Sequence, residues 1–278
     1  MKHSVFHSLM KDKWFASGII LAVFLTIMFA LGAWVSPYDP YDTSFEPLSP
    51  ASPNHWLGVN DGGMDIFSEL MLGVKNTVFF GLLSATVGLI FGIFAGLTAA
   101  WKGGWADAFL MRLAEVVMAV PPVMIMIVIA AFFRPSPAVL AFTLSLLSWP
   151  TTAKAIRSQA LTVRKSLHVR AARAMGGTGG YIITKHLLPE LFPLYVIGFV
   201  AKTRMAVFME ASLAFLGLFD PGRKSLGAMI RYALQYYYLD VWLNWLMPPV
   251  FCFALVIMSV TFLAISLEKK FDPRLKEV

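Results

Sequence analysis

Between Lys13 and Asp39 the chain carries no Asp, Glu, Lys, Arg or His. The apolar run inside that stretch, residues 14–35, matches the about 20 residues a helix needs to cross hydrocarbon. A cleaved signal peptide has an apolar region of only about 7–15 residues, so this run reads as an uncleaved first membrane helix. Five more runs of the same kind follow, at residues 76–100, 113–133, 138–155, 191–218 and 241–267. The expectation is an all-α, polytopic membrane protein with six transmembrane helices. Pro121-Pro122 removes backbone donors from the third run, and a kink is expected there. The fourth run carries Pro150.

Composition agrees. Of 278 residues, 58 % are hydrophobic and 14 % charged, where a soluble domain carries about a quarter charged. The net charge of +7 does not point to nucleic acid, because the cations sit in connections between apolar runs, a pattern of topology and anionic headgroups. The single Cys252 excludes an intramolecular disulfide. His3 and His7 stand four apart, too few ligands for a metal, and no metal site or catalytic cluster is expected.

Residues 36–74 hold no Lys or Arg but do hold Asp39, Asp42, Glu46, Asp61, Asp65 and Glu69. They are rich in Pro, Asn and Gly and read as a long extracytoplasmic loop. Lys2, Lys11 and Lys13 precede the first run. Lys102 and Arg112 lie in the second connection. Arg157, Arg164, Lys165, Arg170, Arg173 and Lys185 crowd the connection after the fourth run, and Lys269, Lys270, Arg274 and Lys276 the tail. The positive-inside rule then places both termini and both basic connections in the cytoplasm. Arg223, Lys224 and Arg231, on the last outer loop, run against it.

The basic segment HVRAARAMGGTGGYIITKHLLPEL, residues 168–191, interrupts this apolar chain. Residues 158–175 contain no Gly or Pro and can be helical. Val163, Leu167, Ala171, Ala174 and Met175 fall on one arc at helical spacing. Gly176-Gly177 and Gly179-Gly180 stop the helix, and Pro189 is placed to open the next span. Two readings fit a short amphipathic helix between spans: a surface for another protein, or a helix lying on anionic headgroups.

The spacing R-A-A-R-A-M-G followed nine residues later by H-L-L-P resembles the E-A-A-x-x-x-G-(x9)-I-x-L-P motif of ABC importer permeases. Ala171, Ala172, Gly176, Leu188 and Pro189 match, Arg170 replaces Glu, and His186 takes the Ile place. HWLGVNDGGMDIFSEL (55–70) is similar to a stretch of the C-type permease subunit in dipeptide, oligopeptide and nickel importers. Leu57, Gly58, Gly63, Asp65 and Ser68 match; Val59, Asn60, Met64 and Glu69 depart. WKGGWADAFLMR (101–112), SWPTTAKAIRSQAL (148–161), EASLAFLGL (210–218) and the tail FDPRLKEV also look like that subunit.

The resemblance implies the type I ABC importer (MetI-like) permease fold, in a prokaryotic cytoplasmic (inner) membrane, with a coupling helix at about 163–176 that docks on an ATPase. Arg170, Ala171, Ala172, Gly176, Leu188 and Pro189 are the coupling residues it implies. Residues 1–35 become a cytoplasmic tail and first helix, 36–74 the outer loop, 75–268 the core permease domain, and 269–278 a cytoplasmic tail. No G-x-x-x-x-G-K-[ST] phosphate loop is present, so ATP hydrolysis is expected from other chains, and the resemblance implies a permease subunit without a cofactor of its own rather than an enzyme. ATP and Mg²⁺ belong to partner chains. The implied assembly pairs it with a paralogous permease, two ATP-binding subunits and an extracytoplasmic solute-binding protein, importing peptides, nickel or metal chelates. A self-contained secondary transporter would show internal repeats with broken helices in both halves, and none is seen.

Charge within a bilayer is costly, and Lys202, Arg204 and Glu210 all fall in the fifth run. One reading sets Lys202, Arg204 and Glu210 on a water-filled solute path, with Pro121 and Pro122 as a gate. The other pairs the two cations with Glu210 or with the partner permease. Arg112 and Glu115, three apart, read as a structural pair.

Overall fold

The computed structural model describes residues 12–219, 222–239 and 242–271; Lys2, His3, His7, Lys11, Arg274 and Lys276 lie outside them. The described residues form helices joined by irregular chain. These are α1 Lys13–Val35, α2 Ile66–Lys102, α3 Gly104–Met118, α4 Pro122–Phe133, α5 Pro137–Arg164 and α6 Leu167–Ala174. Then come α7 Gly179–Ile182, a π turn Ile183–Leu187, α8 Leu188–Glu190, α9 Phe192–Phe215, α10 Leu226–Gln235 and α11 Trp242–Phe271.

By length and apolar character α2, α5, α9 and α11 can each cross a membrane. The expected break in the third run is present: α3 and α4 meet at 69° across Pro121, and count as a fifth span when taken together. Among the described residues, helices long and apolar enough to cross thus number four, or five with the bent pair. α1, Lys13–Val35, is itself a helix of 23 residues that carries no charge after Lys13.

Two boundaries move, for local reasons. Asp65 starts α2 ten residues before the expected 76, its carboxylate accepting from the Ser68 amide at 2.9 Å and the Ser68 hydroxyl at 2.7 Å. The polar first turn stays helical because its side chains find partners within the fold. At the other end α5 passes the expected 155 and runs to Arg164, so residues 158–175 are not one helix. The break falls at Lys165-Ser166, where the Ser166 hydroxyl donates to the Val163 carbonyl at 2.6 Å.

The centre of the bundle is α2, packed along α5 and, on another side, α9; α1 lies on α11. Gly88, Gly92 and Gly96 make one stripe of α2. A Cβ at these positions would come 2.7 Å from Ser148 Oγ, 2.6 Å from Thr152 Cβ and 2.6 Å from the Ala153 carbonyl oxygen. Small residues at this spacing let two membrane helices meet backbone to backbone.

The irregular segment before α2 folds over the start of that helix. His55 sits 2.9 Å from Asp65, and Gly58 and Gly63, two of the matched residues, hold φ of +87° and +75°. The cations that ran against the topology rule are all engaged here. Lys224 lies 3.2 Å from Glu69, and Arg223 stacks over Phe219 at 5.2 Å and Phe80 at 5.9 Å. Arg231 stacks over Tyr232 at 5.6 Å. They serve packing at this loop end rather than topology. Of the aromatic residues at this end, Tyr237 and Tyr238 are exposed, while Trp245 is buried and stacked on Tyr236.

Candidate functional site

The basic segment is built on Trp101, at the end of α2. Its ring is flanked by Arg164 at 5.3 Å and Arg173 at 5.5 Å. Arg164 also donates to the carbonyls of Ala100 at 2.8 Å and Trp101 at 3.2 Å, placing a cation where the helix dipole is negative. Gly179 closes on the same ring, since a Cβ there would lie 2.8 Å from Trp101 Cζ2. The connection after α5 is thereby fixed to the end of α2.

The motif glycine has a geometric reason. Gly176 has φ +89°. Its amide donates to the Arg173 carbonyl at 3.1 Å, and the Gly177 amide to the Ala172 carbonyl at 3.0 Å. That bond pair is the Schellman ending of a helix, and its left-handed position favours glycine.

The expected apolar arc is split: Val163 is buried at the end of α5, while Leu167, Ala171, Ala174 and Met175 face outward. Val169 and Ala172 are buried, with Val169 in the cluster of Leu97, Ile156, Ala160 and Ile182. Leu167 and Met175 are each 81 % exposed. Arg170, Ala171 and Ala174 share that exposed side, and among the described residues Arg170 has no carboxylate partner. Leu188 packs inward against the Leu97 cluster, whereas Pro189 is exposed. Pro189 opens the three-residue α8; Pro193, in the first turn of α9, is the proline that opens the span. His168 lies 3.0 Å from Glu190 and ties α6 to α8, and His186 stands in the π turn with its ring 5.7 Å from those of His168 and Tyr181.

Three further ion pairs hold the basic end. Arg157 meets Asp107 through two side-chain hydrogen bonds, joining α5 to α3. Glu115 takes Arg112 at 3.3 Å, the expected pair, and also Lys154 of α5 at 3.6 Å. Both members of the Arg157–Asp107 pair lie in stretches that carry the resemblance, but nothing in their spacing marks them as partners.

The three charges of α9 have different surroundings. Lys202 is buried and donates to the Ser148 carbonyl of α5. Glu210 is buried and accepts from Thr77 of α2 at 3.0 Å. Burial pushes the nearby Arg223 guanidinium down from its usual range, and the Glu210 carboxylate acts against that fall. Arg204 is exposed, on nearly the opposite side of α9 from Lys202, as expected two residues on at about 100° each. Lys202 and Arg204 therefore do not share one surface of α9. Pro121 and Pro122 sit at the α3–α4 break, and Met126 and Ala130 of α4 share a core cluster with Ala206, Met209 and Leu213 of α9.

The family described as "Binding-protein-dependent transport system inner membrane component" matches residues 88–277. This chain belongs to that family. It is similar to the glutathione transport system permease protein GsiD of Pectobacterium atrosepticum, 29 % identical over 264 residues, covering 93 % of this chain and 87 % of that protein. It is likewise similar to the dipeptide transport system permease protein DppC of Bacillus subtilis, 28 % identical over 270 residues, 96 % of this chain and 84 % of the relative. Among solved structures, a chain of the MetNI methionine ABC transporter in inward-facing conformations shares the fold. Its TM-score is 0.52 at 19 % identity, over 71 % of this chain and 96 % of that one. The chain is an ABC importer permease of the inner membrane, with ATPase and solute-binding proteins as the family's partners. It is a transport component rather than an enzyme.

Proposed function

We propose that this chain is one of two paralogous permease subunits in a peptide importer, with six spans and both termini in the cytoplasm. The observation that supports this most is the exposed side of α6: Leu167, Arg170, Ala171, Ala174 and Met175 stand clear on a helix anchored from beneath by Val169, Ala172 and Trp101. In this reading α6 enters a cleft of one of two ATPase subunits, which bind ATP and Mg²⁺. Their closure displaces α6 and, through the short Lys165-Ser166 link, α5. The binding protein delivers solute at the loop end.

Peptides are the favoured solute class, because the relatives are named for glutathione and dipeptide transport. Nickel or metal chelates, the other class the resemblance implies, compete in the same assay. The test is ATP hydrolysis and uptake by the reconstituted complex for wild type and Arg170→Glu. The expected result is hydrolysis stimulated by loaded binding protein in the wild type, and loss of that stimulation in an intact variant complex. Uptake without any ATPase subunit overturns the proposal.

A further inference from the structure

Of the three charges in α9, the fold occupies two and leaves one. Lys202 is held by the Ser148 carbonyl, and Glu210 by Thr77, with Arg223 near it. Arg204 is exposed midway along α9 and, among the described residues, has no ion-pair partner. Placing a lone Arg at the bilayer centre costs about 2.5–3.5 kcal/mol on the insertion scale, so such residues face a wet cavity or another protein rather than lipid. A helix of 24 residues is about 36 Å long, and its midpoint lies too deep for headgroup phosphates.

The surroundings of Arg204 have a definite chemistry. Phe208 and Phe215 follow on the same side of α9, 62 % and 45 % exposed, with Met205 beside them. A guanidinium binds a carboxylate through two parallel hydrogen bonds, while Met and aromatic surfaces accept side chains of varied shape. Lys202, two residues away, cannot share the task because it is turned into the α5 packing.

We infer that Arg204 is a solute-binding residue in the translocation path, engaging the carboxylate of a peptide whose apolar side chains pass over Met205, Phe208 and Phe215. This rests on the importer reading and narrows its solute to molecules with a free carboxylate. An acidic residue of the partner permease is the competing occupant, and the test separates the two.

The complete complex is reconstituted with its binding protein, as wild type, Arg204→Gln and Arg204→Lys. Uptake is compared for a dipeptide with a free C-terminal carboxylate and for its C-terminal amide. The binding protein is the same throughout, so any change in preference between variants belongs to this chain. The expected result is that Arg204→Gln raises KM for the carboxylate peptide and lowers its kcat/KM relative to the amide by about tenfold, as for loss of a charge-assisted hydrogen bond, with Arg204→Lys between. Equal effects on both peptides, or failure of both variants to assemble, overturn the inference. Stimulation of wild-type ATP hydrolysis by loaded binding protein reports separately on the importer reading. If the wild type takes up neither peptide, the peptide assignment falls and this inference with it.

Discussion

The Lys224 ammonium lies 3.2 Å from the Glu69 carboxylate, both side chains being buried, and Asn60 donates to the other Glu69 oxygen at 2.8 Å. Asn60 and Glu69 are two of the positions at which residues 55–70 depart from the resembled pattern. The departures therefore satisfy each other. Removing one partner of a buried pair strands the other charge, at a cost of about 3–5 kcal/mol. Glu69→Gln and Lys224→Met should each lower the thermal midpoint of the detergent-solubilised complex strongly. The double variant should lose less than the sum, as a double-mutant cycle would report.

Gly176 offers a test free of steric clash. A Cβ there would have nothing within 4 Å, yet the backbone holds φ +89°. Gly176→Ala should weaken the end of α6 by about 1–2 kcal/mol and lower uptake by roughly tenfold, with the complex intact. Gly176→Asn should keep most activity, because Asn tolerates the left-handed conformation. Equal uptake by wild type and the Ala variant would show that the turn after α6 does not transmit force.

Trp101 supports the same segment through its two flanking guanidinium groups. Each such contact contributes about 0.5–2 kcal/mol. Trp101→Ala should expose residues 165–178 to limited proteolysis and reduce the coupling of hydrolysis to uptake, and Trp101→Phe should do so less. Unchanged cleavage in the Ala variant would count against Trp101 as the anchor.

The α3–α4 break tests the hinge. Replacing both Pro121 and Pro122 with Ala restores two backbone donors and should open the 69° bend. Spin labels at residues 109 and 128, placed in a Cys252→Ser background, should then sit farther apart, and uptake should fall. An unchanged label distance would mean that packing on α5 and α9, rather than proline, sets the angle.

Much of the fold was legible because apolar runs and basic connections are written residue by residue in the chain. The start of α2 was not, since Ser68 and Glu69 look like loop until Asp65 and Lys224 are seen beside them. The arc through Val163, Leu167, Ala171, Ala174 and Met175 followed from helical periodicity, but periodicity cannot tell a position turned to the core, as Val163 is, from one left exposed. The same limit applies to Lys202 and Arg204. Sequence placed both within a span, and only the position of Ser148 separates the occupied cation from the free one.

The glycine stripe on α2 has a mechanical corollary. At 37 residues, α2 is about 55 Å long, well beyond the about 30 Å of hydrocarbon, and its contact with α5 leaves no room for one helix to slide on the other. The two behave as a single stiff strut, longer than the hydrocarbon is thick. A strut pivoting near its middle swings its ends in opposite directions, so widening at one surface and sealing at the other become one displacement. A subunit that pivoted this way would couple its two openings through rigidity alone.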